Sequence, residues 1–206
     1  AGITVGEDGV SHQAIEDIAL MRVIPGMQVF VPCDEAQTKA VIAHVARIPD
    51  PCYVRLGRSK TADIYAADTI FDFTKVHVVR KGETAVVFAC GMEVQAAMEA
   101  AEKLKKSGIS AEVLAVPFVK PIDMKPIELS LQKTGKLLCV EEHVLAGGFT
   151  GAVCENLMKD HIVCDFDAIG IQNTFTETGD YIQLLDKYGI SAGNIVKKAK
   201  KLCQNK

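Results

Sequence analysis

The sequence predicts an α/β chain: a partial first unit, then a three-layer domain built on a mostly parallel sheet. Three observations carry that reading. From Val76 onward, short apolar runs alternate with helical patterns of about 10–15 residues, the signature of a parallel sheet covered on both faces. Between Gly57 and about Thr74 the hydrophobic periodicity is lost, which marks a linker. Ahead of that break stand signals for two strands and two helices only. A two-stranded piece cannot bury its own faces, so it must lean on the later domain, on a partner, or on further sequence.

Taken in order, Ser11 is positioned to cap a helix with its hydroxyl, Glu16 and Asp17 suit the positive helix end, and Pro25-Gly26 stops it. A strand is expected from Met27 to Val31, a helix from about Asp34 to Ile48, and a strand from Cys52 to Leu56. Past the linker, Val76 to Val79 and Ala85 to Ala89 flank Lys81-Gly82-Glu83, which reads as a hairpin. Glu93 to Lys106 is a strong helix with Gly108 as its left-handed stop. Strands follow at Ala111–Val116, Lys136–Val140 and Phe166–Ile171. Helices are expected at Met124–Gln132, Gly148–His161, Tyr181–Lys187 and Asn194–Leu202.

Composition narrows the function classes. A formal net charge of −3 gives no electrostatic case for nucleic acid or an anionic membrane, so neither is expected as a partner. No apolar run approaches the ~18 residues of a membrane span, and no signal-peptide pattern is present. The basic run Lys197-Lys198-Ala199-Lys200-Lys201 reads as a solvated helix face. Seven cysteines occur without a C-x-x-C pair or zinc spacing, which points to a reducing, cytoplasmic location. Cys90 and Cys139 lie in apolar runs and read as core thiols.

Chemistry-bearing residues concentrate near the start. In Gly6-Glu7-Asp8-Gly9 the paired glycines allow a sharp bend and close approach to a ligand, and Asp8 can accept from hydroxyl groups. A plain surface loop is the competing reading. His12, at an expected helix start, would be held neutral by the helix dipole and could bind a hydroxyl or shuttle a proton; an exposed histidine with no such role is the competing reading. Arg58 follows a strand end, where parallel sheets bind ligands, and a guanidinium there suits a phosphate; a solvated linker arginine is the alternative. Arg55 reads as a structural ion-pair partner. His143, after Glu141-Glu142, is the other histidine to watch. Gly147-Gly148-Phe149-Thr150-Gly151 could cradle an anion, but close strand–helix packing explains it better, since the spacing matches no nucleotide motif.

Read together, "GITVGEDGVSHQAIEDIALMRVIPGMQVFVPCD", "YVRLGR", "FVKPID" and "VEEHVLAGGFTGAV" resemble transketolases along essentially the whole chain. The resemblance implies a partial pyrimidine-binding domain over residues 1–65, a linker at 66–77 and a C-terminal domain over 78–206. It implies thiamine diphosphate and a divalent cation (Mg) as cofactors, and transfer of a two-carbon ketol unit from a ketose phosphate to an aldose phosphate in the pentose phosphate pathway. Asp8 and His12 match the family's catalytic and substrate-binding positions, His12 also its cofactor-binding one. Arg58 matches the arginine that grips the sugar phosphate.

The same resemblance places the cofactor-activating glutamate and the diphosphate–magnesium motif in sequence this chain lacks. It therefore implies an N-terminal transketolase domain or subunit as partner, in a homodimer or hetero-oligomer, and an isolated chain that is inactive. Two other readings stay open. One is a non-catalytic assembly or dimerisation module; the other is a relative of 1-deoxy-xylulose-phosphate synthase, which would use pyruvate as donor.

Overall fold

The computed structural model describes residues 1–73 and 75–204. Thr74, the expected end of the linker, lies outside the described residues, as do the last two positions. The chain opens with two 3-10 turns, Gly6–Asp8 and Val10–His12, followed by α1 (Asp17–Val23), β1 (Gln28–Phe30), α2 (Glu35–Val45) and β2 (Cys52–Val54). Then come β3 (His77–Arg80), β4 (Ala85–Ala89), α3 (Glu93–Lys105), β5 (Ala111–Ala115), β6 (Phe118–Lys120) and α4 (Lys125–Thr134). The last elements are β7 (Lys136–Val144), α5 (Phe149–Lys159), β8 (Asp165–Ile171), α6 (Tyr181–Lys187) and α7 (Ala192–Gln204).

The larger sheet runs β3-β5-β4-β7-β8, parallel throughout except for β3 at its edge. Every residue of β4 and β5 is buried, as expected of central parallel strands with both faces covered. Alternation along β4 divides the core in two. Val87 and Ala89 face α3 and α7 through Leu104, Ile195 and Leu202. Val86 and Phe88 face α4 and α5 through Ile127, Phe149 and Val153. Each of the buried valine, leucine, isoleucine and phenylalanine side chains contributes about 1.5–3 kcal/mol.

The expected hairpin is not formed. β3 pairs antiparallel with β5, and β4 lies on the other side of β5. The connection wraps the start of β5, where Glu83 N–H and Thr84 N–H both donate to Ser110 O at 2.9 and 2.8 Å. A Cβ on Gly82 would overlap the Ala111–Glu112 peptide, so the glycine serves that crossing rather than a two-strand turn.

The first unit finds its support within the chain. β1 pairs with β2 in parallel and, on its other edge, with β6 in antiparallel, giving a three-stranded sheet β2-β1-β6. The rings of Phe30 and Phe118 stack across that pairing with centroids 4.4 Å apart. Ile3 and Ile15 enter one face of the larger core, Ile18 and Val29 the other. Helix α1 begins at Asp17 rather than near Ser11, and Glu16 at its cap position makes no side-chain capping bond. The stop at Pro25-Gly26 is as expected, with Gly26 at φ +74°.

Candidate functional site

The two 3-10 turns are joined by Gly9 at φ +82°, a conformation open to glycine; a Cβ there would also lie 2.7 Å from Thr178 Oγ1. This bend presents Asp8 and His12 on the open surface. Arg58 reaches it from the far end of β2, its backbone N–H fixed to Thr4 Oγ1 at 3.1 Å. Its guanidinium pairs with the Asp8 carboxylate, with 63% and 42% of the two side chains exposed. The structure thus brings together two of the three residues singled out in the sequence.

His12 shares the bend but contacts neither; its Nδ1 lies 3.2 Å from Ser11 Oγ. Two expectations are corrected here. Ser11 does not cap a helix, and His12 closes a 3-10 turn instead of opening an α-helix, so no helix dipole acts on it. A cavity of about 520 Å³ opens beside Arg58, lined in part by Pro32, Cys33, Leu56, Gly57, Ser59 and Lys60.

Beneath the bend lies a buried ionic network. Arg55 Nε donates to Asp17 Oδ2 at 2.9 Å, and its Nη2 donates to Ala14 O at 3.2 Å and Glu142 O at 2.9 Å. Burial opposes the Arg55 charge, but the Asp17 and Glu142 carboxylates outweigh it and raise the guanidinium pKa. Tyr53 OH donates to Asp17 Oδ2 at 2.7 Å, and burial together with that carboxylate pushes the phenol upward. Glu142 Oε1 accepts from Ile3 N–H at 2.5 Å, yet burial still raises its carboxyl.

His143 accepts at Nε2 from Ile18 N–H at 3.1 Å, and its Nδ1 lies 2.6 Å from Val144 O. That pattern assigns the proton to Nδ1 and makes the imidazole a cap for α1. Burial lowers its pKa, consistent with the neutral form. His143 is a structural residue inside β7, which continues four residues past its expected end.

The glycine-rich turn before α5 is already filled. Glu141 accepts from Phe149 N–H at 2.7 Å and Thr150 N–H at 2.9 Å, an internal anion on the helix N-terminus. Burial pushes its carboxyl up to about 7 against those donors. A Cβ on Gly148 would overlap that carboxylate, which accounts for the glycine.

Among the described residues no group of three His, Cys, Asp or Glu side chains could hold a metal ion. Cys90 and Cys139 are buried, and all seven cysteines are free. No helix among the described residues is long and apolar enough to cross a membrane.

Residues 1–63 match the family model "Transketolase, pyrimidine binding domain", and residues 74–195 match "Transketolase, C-terminal domain". The chain belongs to the transketolase family. A Methanocaldococcus jannaschii protein described as a transketolase C-terminal section is 40% identical over 200 residues, covering 96% of this chain and 62% of that one. A 1-deoxy-D-xylulose-5-phosphate synthase of Heliobacterium modesticaldum is 33% identical over 203 residues, 98% of this chain and 31% of that one.

The solved structure titled "Split gene transketolase, inactive beta4 tetramer" superposes with a TM-score of 0.89 at 39% identity, covering 94% of this chain and 63% of that one. The chain thus spans about three-fifths of the length of the first and third of these relatives.

Proposed function

We propose that this chain is the C-terminal part of a thiamine-diphosphate-dependent transketolase, with the Gly6–His12 bend and Arg58 forming one wall of its sugar-phosphate pocket. The single observation that carries the reading is the exposed pairing of Asp8 with Arg58 beside His12. It sets a hydrogen-bond acceptor and a cation together on the bend that also exposes an imidazole, the acceptor and donors that a phosphorylated polyol needs. The residues present fit a sugar phosphate; ligation of the diphosphate and Mg falls to sequence outside this chain.

The chemistry supplied by thiamine diphosphate, when bound, is carriage of a two-carbon ketol unit from a ketose phosphate to an aldose phosphate. Asp8 accepts from sugar hydroxyls and orients the chain of the substrate. Arg58 exchanges its contact with Asp8 for a bidentate one to the phosphate. His12 bonds a hydroxyl near the reacting carbons and takes or returns its proton, and it would help to hold the cofactor when that is bound. The partner is an N-terminal transketolase domain or subunit, in a homodimer or hetero-oligomer. Helix α1 leaves Leu20 60% and Val23 76% exposed, an apolar face that supports such a neighbour.

The test is reconstitution with that N-terminal polypeptide. The isolated chain is expected to give no turnover and the complex to give ketol transfer, with His12→Ala lowering kcat about 100-fold. Full activity in both Asp8→Ala and His12→Ala would favour the assembly-module reading. Preference for pyruvate over hydroxylated donors would favour the 1-deoxy-xylulose-phosphate synthase reading.

A further inference from the structure

The bend that carries Asp8 and His12 is held from behind by the segment between β8 and α6. Gly179 N–H donates to Gly6 O at 3.1 Å, and a Cβ on Gly6 would overlap Gly179 O. The side chain of Gln13, next to His12, is 4% exposed and spends every polar group on this contact. Its Nε2 donates to Glu177 O at 3.1 Å and Gly6 O at 3.4 Å, while Thr176 Oγ1 donates to its Oε1.

Thr176 is itself 7% exposed, between the exposed Phe175 and Glu177. The segment is anchored in turn: Asp180 caps α6 by accepting from Gln183 N–H at 3.1 Å, and Leu184 is buried in the core. The other backbone hydrogen bonds of the bend are local 3-10 contacts, and its direct tie to Arg58 is the exposed ion pair at Asp8, for which water competes.

We infer that Thr176 and Gln13 are positioning residues, by which the C-terminal domain sets the sugar-binding bend against Arg58. The inference rests on the site reading above, since the two residues act through Asp8 and His12. Chemically the clamp is a primary amide bonded on both sides. Removing the Thr176 hydroxyl leaves a buried carbonyl without its donor and frees the amide to turn, so the loss falls on the bend rather than on the core.

The experiment has two parts. Hydrogen–deuterium exchange on this chain follows the amides of Gly9, His12 and Gln13. Thr176→Val is expected to speed their exchange about tenfold, with protection kept in β4 and β7, and Thr176→Ser to restore it. In the reconstituted enzyme, Thr176→Val is expected to raise KM for fructose 6-phosphate about tenfold and to affect hydroxypyruvate, which lacks the distal hydroxyls and phosphate, distinctly less.

Unchanged exchange would overturn the clamp. Faster exchange with equal losses on both donors, or none, would overturn its role in positioning substrate. Asp8→Ala is the control: if it does not discriminate between the donors, the site reading itself has failed, whatever Thr176→Val does. If Thr176→Val does not fold, Gln13→Met read by the same exchange and donor ratio replaces it.

Discussion

Arg55 and Arg58 stand three residues apart at the end of one short strand, and each pairs with an aspartate from the N-terminal segment. Arg55 and Asp17 have side chains 6% and 9% exposed, and the guanidinium also donates to two backbone carbonyls from different parts of the chain. Arg58 and Asp8 are 63% and 42% exposed, and the Arg58 side chain has no further partner among the described contacts. The first pair is desolvated and bonded from several sides, which suits a structural role. The second remains in water, where an ion pair contributes little to folding and is easily exchanged for a ligand. Residue type and spacing do not separate the two roles; the completeness of the surroundings does.

The comparison breaks most readily at Arg55. Arg55→Ala leaves the Asp17 carboxylate buried with Tyr53 as its remaining partner, and is expected to cost about 3–5 kcal/mol in chemical denaturation. A loss near zero would mean that the network is not holding α1 to β2.

Next in size is a pH effect at Glu141, a further buried carboxyl near the network. Its carboxyl is pushed up to about 7 by burial in the folded chain, against roughly 4.3 for an unfolded glutamate. Between those values the folded chain keeps a proton that the unfolded chain has released. Its stabilising contribution is therefore complete below the unfolded value and is lost as pH rises through the folded one. The stability difference between wild type and Glu141→Gln is expected to shrink by on the order of 3 kcal/mol over that range. Taking the difference removes titrations distant from Glu141; a flat curve would show that burial does not hold a proton on Glu141.

The smallest stability effect is expected at Arg58. Arg58→Ala should change unfolding free energy by less than about 1 kcal/mol, while weakening sugar-phosphate binding in the completed enzyme. Loss of folding there, or full retention of binding, would erase the contrast between the two arginines.

Long, strongly patterned elements were legible from the residues. α3, α6, β5 and β8 fall within a residue or two of their expected bounds, because buried strands and amphipathic helices write their period into the chain. Arg55 was legible as an ion-pair partner. The failures have physical causes. β6 is three residues between Pro117 and Pro121, too short to alternate, and only its partner β1 makes it a strand. The hairpin reading followed turn chemistry at Gly82, whereas sheet order was decided by β5 entering between the two strands.

Ser11 resembles a cap, but it lies inside the second 3-10 turn, and α1 begins only at Asp17. Of the candidate site, Asp8, His12 and Arg58 could be nominated from local chemistry and family resemblance. The supports could not: Gln13 and Thr176 lie 163 positions apart, and their contact has no local signature.

The placement of β6 bears on protein engineering. Chimaeras between relatives are naturally spliced in the irregular stretch before β3, which looks like a neutral junction. Such a splice imports the donor's outermost ribbon, Phe118 included, into the recipient's smaller sheet, where Phe30 must receive a foreign ring. Grafts that carry the β1 neighbourhood together with β6 avoid the mismatch, so the modular unit of exchange is discontinuous in sequence.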